Sequence, residues 1–417
     1  MLKSFFKLTL PNNVLKIFDQ FTPNYYEEEV SIEDSLGRIL AQDICSSSNM
    51  PGFLRATMDG YAVKAKDTFG ASPTLPALFK VKGEVKMGEI PKVSVKEGEA
   101  VKISTGGMLP EGADGVVMIE FCHRIDDNTI EIEKAISPWE NVMQPDDDIK
   151  KGDILLKKGA RLRPQDIGAL AGIGIRHIKV YKRPKVAIIS TGDEVIPIDQ
   201  EPLPGQVRDI NRYTLSTLCM ALGAIPIFMG ICPDDFFRLQ SMVMEGLDIA
   251  DTVWISGGSS VGTRDLTLKV FESIEKFELL VHGIAISPGK PTIIGKAKFK
   301  PIVGLPGQVS SAFIVAEVFM SRLIKKLSGE NPSDIIPTVN AIITRNIDSV
   351  TGREDYIRIK LLKKGKKIYA NPILGKSGLI SPLVEADGLI KIDINKEGIY
   401  KNEEVEVIPF ISKGGAC

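Results

Sequence analysis

Acidic residues recur just after apolar runs that end in turns rich in glycine and hydroxyls. Chemistry on an anion would sit there. Val186–Ser190 leads into Thr191, Gly192, Asp193 and Glu194. Thr252–Ser256 leads into Gly257, Gly258, Ser259, Ser260 and Gly262, with Asp265 just beyond. Pro301–Leu305 leads into Pro306 and Gly307 of PGQVSS. Small residues at such ends let backbone N–H groups approach a phosphate or carboxylate. Asp209 and Asn211 follow in GQVRDIN, and Asp234 and Asp235 after the run ending at Gly230. Hard oxygen ligands of this kind suit Mg²⁺, which takes one or two carboxylates beside substrate phosphates. Lys290 in SPGKP can neutralise a phosphate as a point charge, or be a solvated turn residue. Each acid has an equally ordinary alternative as a helix cap: Asp234 or Asp235 before FFRLQSMV, and Asp265 before LTLKVF. Three similar loops at equivalent positions favour ligand binding over turn geometry alone.

Two further turns lie outside this stretch. Asp59 in RATMDGYAV reads first as an Asp-Gly turn. Thr105 in STGG follows the strand-like EAVKI and is a second anion-friendly turn. Asp148 closes an acidic run, Asp146–Asp148, of the kind that ordinarily faces solvent. A dinucleotide GxGxxG and a P-loop are both absent. The five cysteines are widely spaced without a CxxC, and the three histidines lie far apart. A zinc site, a disulfide framework and a His-ligated metal are therefore poor readings, and a reducing cytoplasm is expected.

The elements that must position these residues follow from the hydrophobic pattern. Continuous apolar runs alternating with helical patterns over 183–330 predict a mainly parallel sheet with helices on both faces. Ligands of such sheets bind at the carboxyl ends of the strands. Short alternating runs from 51 to 148 predict an inserted β-rich module, and the last stretch, 331–417, a small β-barrel or sandwich. Residues 1–50 and 149–182 are mixed and read as one interrupted linker domain, with helices at Asn12–Phe21 and Gln165–Ala171. Ser31 followed by Asp34 in SIEDSLGRIL reads as a helix start. The 417 residues fit two to four domains, and 52 basic against 53 acidic residues argue against a bulk basic field for nucleic acid. The uncharged stretch Tyr213–Pro233 is long enough to span a bilayer. Gly223 and Pro226 inside it instead read as a helix stop and a turn into a strand. No membrane association is expected.

In order and spacing, PGFLRATMDGYAV, STGGMLPEGADGVVMIE, STGDEV, GQVRDINRYTL, SGGSSVGTRDLT, SPGKP and GLPGQVSSAF resemble the signature blocks of the molybdopterin molybdenumtransferase (MoeA) family. The same blocks are similar to those of the gephyrin C-terminal domain, and the likeness runs from about residue 10 to 410. It implies a MogA-like central domain that binds molybdopterin. It also implies insertion of molybdate into adenylated molybdopterin with Mg²⁺ and release of AMP. By motif, Asp59, Thr105, Asp148, Glu194, Asp234 and Asp265 become the catalytic set, with Glu194, Asp59 and Asp265 holding the metal. Gly257, Gly258, Ser259, Ser260 and Gly262 become the pterin-phosphate loop, and Ser377 of GKSGLIS a contribution from the C-terminal domain. A homodimer is implied, with the MDGYA module of one subunit facing the α/β domain of the other. Further implied partners are the molybdopterin adenylyltransferase and apo-molybdoenzymes.

The chain departs from this pattern at Gln308–Val309, where the family usually has Asn- or Tyr-Pro, and at Ser287, where many members have Lys. MQPDDD also lacks the arginines and GED that often precede Asp148. Two alternatives remain at this level. One is an adenylyltransferase-like enzyme, whose single domain resembles only 183–330. The other is a non-catalytic dimeric scaffold of the gephyrin type.

Overall fold

Two short segments that are far apart in sequence begin the fold. Strand β1 (Glu27–Ser31) pairs antiparallel with His177–Tyr181, so the chain leaves the linker region and returns to it. The computed structural model describes residues 8–257, 261–331 and 337–410, with the side chains of 261–265 left out. Helix α1 (Pro11–Phe18) carries its proline in the first turn, where no N–H is needed, and buries Val14 and Phe18. Helix α2 (Pro164–Gly172) starts the same way, with Asp166 Oδ2 accepting the Arg163 N–H at 2.8 Å. The helix expected after Ser31 does not form. Asp34 N–H does donate to Ser31 Oγ at 3.3 Å, but the bond closes a turn before Gly37, whose φ of +71° ends any helical path.

Between these halves lies a six-stranded sheet made of β2 (Gly60–Val63), β3 (Ala77–Val85), β4 (Glu99–Ile103), β5 (Gly115–Met118), β6 (Cys122–Arg124) and β7 (Thr129–Ile132). The order is β5-β2-β4-β3-β7-β6. Its two faces feed two separate apolar clusters, one around Val101 and Val116 and one around Phe79 and Ile130. β2 is wholly buried and so sets the position of Asp59 just before it.

The central layer is the sheet of β8 (Lys185–Thr191), β9 (Ile225–Cys232), β10 (Thr252–Gly257), β11 (Glu278–His282), β12 (Ile293–Ala297) and β13 (Lys300–Leu305). In the order β9-β8-β10-β13-β12-β11 the first four are parallel and only β12 runs antiparallel to its two neighbours, which makes a mainly parallel sheet. Alternate residues feed opposite faces. Ile188 and Trp254 pack with α1, α3 (Asn211–Ala221), α6 (Val309–Val315) and α7 (Ser321–Leu327). Ile189 and Val253 pack with α4 (Phe236–Ile249) and α5 (Val261–Glu272). A π-helical turn at Ala316–Met320 joins α6 to α7. The uncharged Tyr213–Pro233 stretch becomes α3, a Gly223 turn at φ +87° and β9. Among the described residues no helix is long and apolar enough to cross a membrane.

The final sheet closes on itself. β14 (Val339–Ile343), β15 (Glu354–Lys364), β16 (Lys367–Pro372), β17 (Gly388–Ile392) and β18 (Glu404–Pro409) follow the cycle β15-β16-β14-β18-β17 and back to β15. Ile359, Ile390 and Val407 fill the barrel. On β15, Tyr356 points the other way, into the core under α6 and α7. Barrel and central layer therefore share packing.

Gly60 tests how tightly β2 is fixed. A Cβ there would lie 1.8 Å from the Val117 carbonyl oxygen on β5. Gly60→Ala is expected to cost about 1–3 kcal/mol or more, as overpacking does, read as a lower urea midpoint.

Candidate functional site

The parallel strands bring three expected loops to one edge. β8 ends at Thr191 and β10 at Gly257, which are register partners. A Cβ on Gly257, at φ +151°, would meet Thr191 Oγ1 at 2.1 Å and its carbonyl oxygen at 2.2 Å. Only glycine lets these two strand ends lie so close. Gly258, Ser259 and Ser260 lie outside the described residues. Gly262 and Asp265 fall within α5, which begins at Val261. Asp265 thus lies inside the helix rather than capping it, and nothing is said of its side chain.

Carboxylates gather on this edge. Gly192, at φ +138°, folds the chain back so that a Cβ there would sit 2.7 Å from Glu194 Oε2. Asp193 Oδ1 accepts the Asp234 N–H at 3.1 Å, which ties the loop after β8 to the loop after β9. Asp235 is the helix cap: its Oδ1 accepts the Arg238 N–H at 2.7 Å. That settles which of the two acids caps α4 and leaves the Asp234 side chain uncommitted to capping. Partial burial raises the Asp234 carboxyl above its ordinary value, and the charges of Asp193 and Glu194 raise it further. Among the described residues no group of three or more His, Cys, Asp or Glu converges closely enough to hold a metal alone. The donor set is hard oxygen with surplus negative charge. It suits Mg²⁺ only as a partial shell, which ligand phosphates would have to complete.

Beneath the loops, polar atoms are buried without partners. Asp209 is 4% exposed; its Oδ1 accepts the Arg212 N–H at 3.0 Å while its Oδ2 has no partner. Asn211 Nδ2 donates to the Gly307 carbonyl at 2.8 Å, and its Oδ1 is unmet. The Oγ atoms of Ser190 and Ser256, cross-strand register partners, are likewise buried and unmet. Orphans in such number mark a place where a ligand or water belongs.

The loop after β13 is secured although its proline is missing. Gln308 precedes α6 without a side-chain cap. Asn211 holds Gly307, and the Ser310 N–H donates to the Ser377 carbonyl at 3.0 Å. Ser377 is thereby placed against the start of α6. Lys290 is exposed in its turn, with its carbonyl accepting the Ile284 N–H at 3.0 Å. Sequence reasoning missed Arg358. It is 8% exposed, and its guanidinium donates to Ser310 Oγ and to the Gly375 carbonyl, both at 2.8 Å. No carboxylate lies within ion-pair reach of it among the described residues, and burial pulls its pKa below the usual arginine value. The signal was an arginine inside the apolar strand YIRIK.

In the inserted sheet, Asp59 and Thr105 meet. Asp59 Oδ1 accepts the Thr105 backbone N–H at 2.6 Å and its hydroxyl at 2.9 Å. Those two bonds, the backbone one foremost, hold the exposed Asp59 carboxyl below its ordinary value. Asp59 stays ionised and oriented. Asp148 is exposed, its N–H donating to the Met50 carbonyl at 3.1 Å. No hydrogen bond or ion pair joins Asp59 or Asp148 to Glu194 among the described residues of the chain.

A β-rich insert, a mainly parallel α/β layer with an acidic carboxyl edge and a closed barrel together make up a multidomain architecture whose polar groups gather at one sheet edge. Comparisons with known proteins identify it. Residues 10–174 match the MoeA N-terminal region (domain I and II), 187–326 a probable molybdopterin binding domain, and 340–410 the MoeA C-terminal region (domain IV). The chain is 37% identical to a putative molybdopterin biosynthesis protein of Methanocaldococcus jannaschii, covering 94% of each. It is 33% identical to the molybdopterin molybdenumtransferase of Haemophilus influenzae, covering 97% of this chain and 98% of that one. The crystal structure of a molybdopterin biosynthesis MoeA protein from Pyrococcus horikoshii superposes with a TM-score of 0.85 at 31% identity, over 97% of this chain and all 100% of that one. The chain belongs to the MoeA family of molybdopterin molybdenumtransferases, enzymes of molybdenum cofactor biosynthesis.

Because the folded-state pKa of Asp234 lies above its unfolded value, its charge opposes folding at neutral pH. That opposition fades as falling pH protonates it. Asp234→Asn is expected to raise Tm at pH 7 without divalent cation, with the gain disappearing by about pH 4, near the ordinary carboxylate range. Scanning calorimetry across that range checks it.

Proposed function

We propose that the chain inserts molybdate into adenylated molybdopterin and hydrolyses the adenylate in a Mg²⁺-dependent step. The observation that carries this reading is the acidic carboxyl edge, where Asp193, Glu194 and Asp234 crowd beside glycine-lined anion turns. Glu194, with Asp234, Asp59 and Asp265, would hold Mg²⁺. When bound, the ion would screen the pyrophosphate charge. The Gly257–Gly262 loop and the start of α5 would cradle the pterin phosphate. Thr191, Gly192, Asp193 and Lys290 would line the same edge. The unmet acceptors of Asp209 and Asn211 suit the N–H groups of a pterin. Pro306 and Gly307, held by Asn211, would form its wall. Water adds to the phosphorus, the phosphoanhydride bond breaks, and AMP leaves. Arg358 and Ser377 supply a cationic, hydroxyl-lined place for an oxyanion such as molybdate.

In this reading Asp59, fixed by Thr105, and Asp148 serve the site of a partner subunit. The exposed Met58, next to Asp59 in the chain, supports a covered surface there. The separate sheets support a division into 1–50 with 149–182, 51–148, 183–330 and 331–417. An enzyme of this kind would act in the cytoplasm. The adenylyltransferase and apo-molybdoenzymes would then be its neighbours in the pathway.

The test is AMP release from adenylated molybdopterin with Mg²⁺ and molybdate, using Asp59→Asn and Glu194→Gln. Each variant alone should lose most activity. Mixed dimers of the two should regain it, because one of the two shared sites then carries neither substitution. No cation-dependent AMP release by the unmodified protein would refute the enzyme reading. Inactive mixed dimers would refute the shared site.

A further inference from the structure

One bond among the loops joins the two halves of the proposed site. Asn211, the first residue of α3, is 9% exposed. Its Nδ2 donates to the Gly307 carbonyl at 2.8 Å, across 96 residues of chain. Gly307 offers an acceptor there, so the amide must present its nitrogen, and Oδ1 is left buried without a partner. A buried amide with half its capacity unused opposes folding. Packing alone would favour an apolar side chain in that place.

Bonded paths leave Asn211 in two directions. One leads to the acidic edge. The Val207 N–H donates to the Glu194 carbonyl at 2.9 Å, and the Asp209 N–H to the Ile196 carbonyl at 3.0 Å. Asp209 Oδ1 then accepts the Arg212 N–H in the first turn of α3. The start of α3 is thereby fixed to the loop that carries Glu194. The other path leads through Gly307 to the head of α6 and on to the barrel. Ser310 is fully buried; its Oγ accepts Arg358 at 2.8 Å, and its N–H donates to the Ser377 carbonyl at 3.0 Å. Between Gly307 and Ser310 the chain has little stiffness of its own. Gln308 gives α6 no side-chain cap, and Val309 at the first helical position does not lock φ.

We propose that Asn211 is a positioning residue whose Nδ2 sets the spacing between the Glu194 loop and the Arg358–Ser377 group, so that both meet one substrate. The inference rests on the reading above, in which Arg358 and Ser377 hold the oxyanion. It adds that their placement is decided from α3, outside the barrel. Without the Nδ2 donor the Gly307 carbonyl is unmet and the turn loosens. Ser310 and the Arg358 guanidinium bonded to it then lose their register, while β8 and β9 still hold Asp193, Glu194 and Asp234. A proline at 309 would stiffen the same turn independently. Gln308 is extended at φ −72° and ψ 125°, as a residue before proline must be, and the first helical position needs no N–H.

The test is calorimetric titration with molybdate of the full chain, of Asn211→Leu and Asn211→Ala, and of each combined with Val309→Pro. Thermal melting checks the fold, and electron paramagnetic resonance follows Mn²⁺ binding with AMP in the same proteins. Molybdate affinity should fall about tenfold or more in both single variants, as misplacement of a positioned group does. Val309→Pro should recover most of that loss, and alone should bind molybdate as the unmodified chain does. Mn²⁺ binding with AMP should not change. Unchanged molybdate affinity in a folded Asn211 variant would overturn the proposal. So would an equal fall in Mn²⁺ binding, which marks general damage to the site. Failure of Val309→Pro to recover affinity would also overturn it, because Asn211 would then act by touching the ligand. No molybdate binding by the unmodified chain would refute the oxyanion place itself, and the inference with it; that outcome needs no variant and so is told apart from the others.

Discussion

Like charge held at one edge of a parallel sheet is the constraint around which the structure is arranged. Asp193, Glu194 and Asp234 crowd closely enough to raise the Asp234 carboxyl, and among the described residues no ion pair joins a cation to them. A cluster of that kind is a standing cost to folding, and sheet packing must hold it in place. The parallel strands do so by being buried on both faces, with Ile188 and Trp254 on one side and Ile189 and Val253 on the other. Glycines at 192 and 257 then turn the chain where no side chain would fit.

The other parts follow from what this edge lacks. Among the described residues it has no group of three or more converging ligands that could hold a metal alone, and in the proposed reading ligand phosphates would complete the shell. Cationic help comes from another module: Arg358 on the barrel reaches across to Ser310 at the head of α6. A second, oriented carboxylate sits on the inserted sheet, where Thr105 fixes Asp59. Buried atoms of Asp209, Asn211, Ser190 and Ser256 wait for partners under the loops. In the proposed site the barrel would add a buried arginine and the inserted sheet an oriented carboxylate.

Much of this was legible in the sequence, because local signals and tertiary packing agreed. The apolar runs at Val186–Ser190, Thr252–Ser256 and Pro301–Leu305 became β8, β10 and β13, and the glycine-bearing turns fell at their ends. Ser31 and Asp34 misled because a capping bond can close a turn as readily as start a helix, and Gly37 decided the outcome. Whether Asp234 or Asp235 capped α4 was undecidable from spacing alone; the N–H of Arg238 chose Asp235. Arg358 escaped because alternation marks which residues share a face, not which face meets another domain. The Asp59–Thr105 bond spans 46 residues, and no local pattern encodes a contact of that separation.

The central claim is that the acidic edge holds a divalent cation only when phosphate oxygens complete its shell. Mn²⁺ binding followed by electron paramagnetic resonance, with and without AMP, tests it most directly. The account predicts weak Mn²⁺ binding to the protein alone, a marked gain with AMP, and loss of that gain in Glu194→Gln. Tight Mn²⁺ binding without AMP, or an AMP-dependent gain that survives Glu194→Gln, would contradict it.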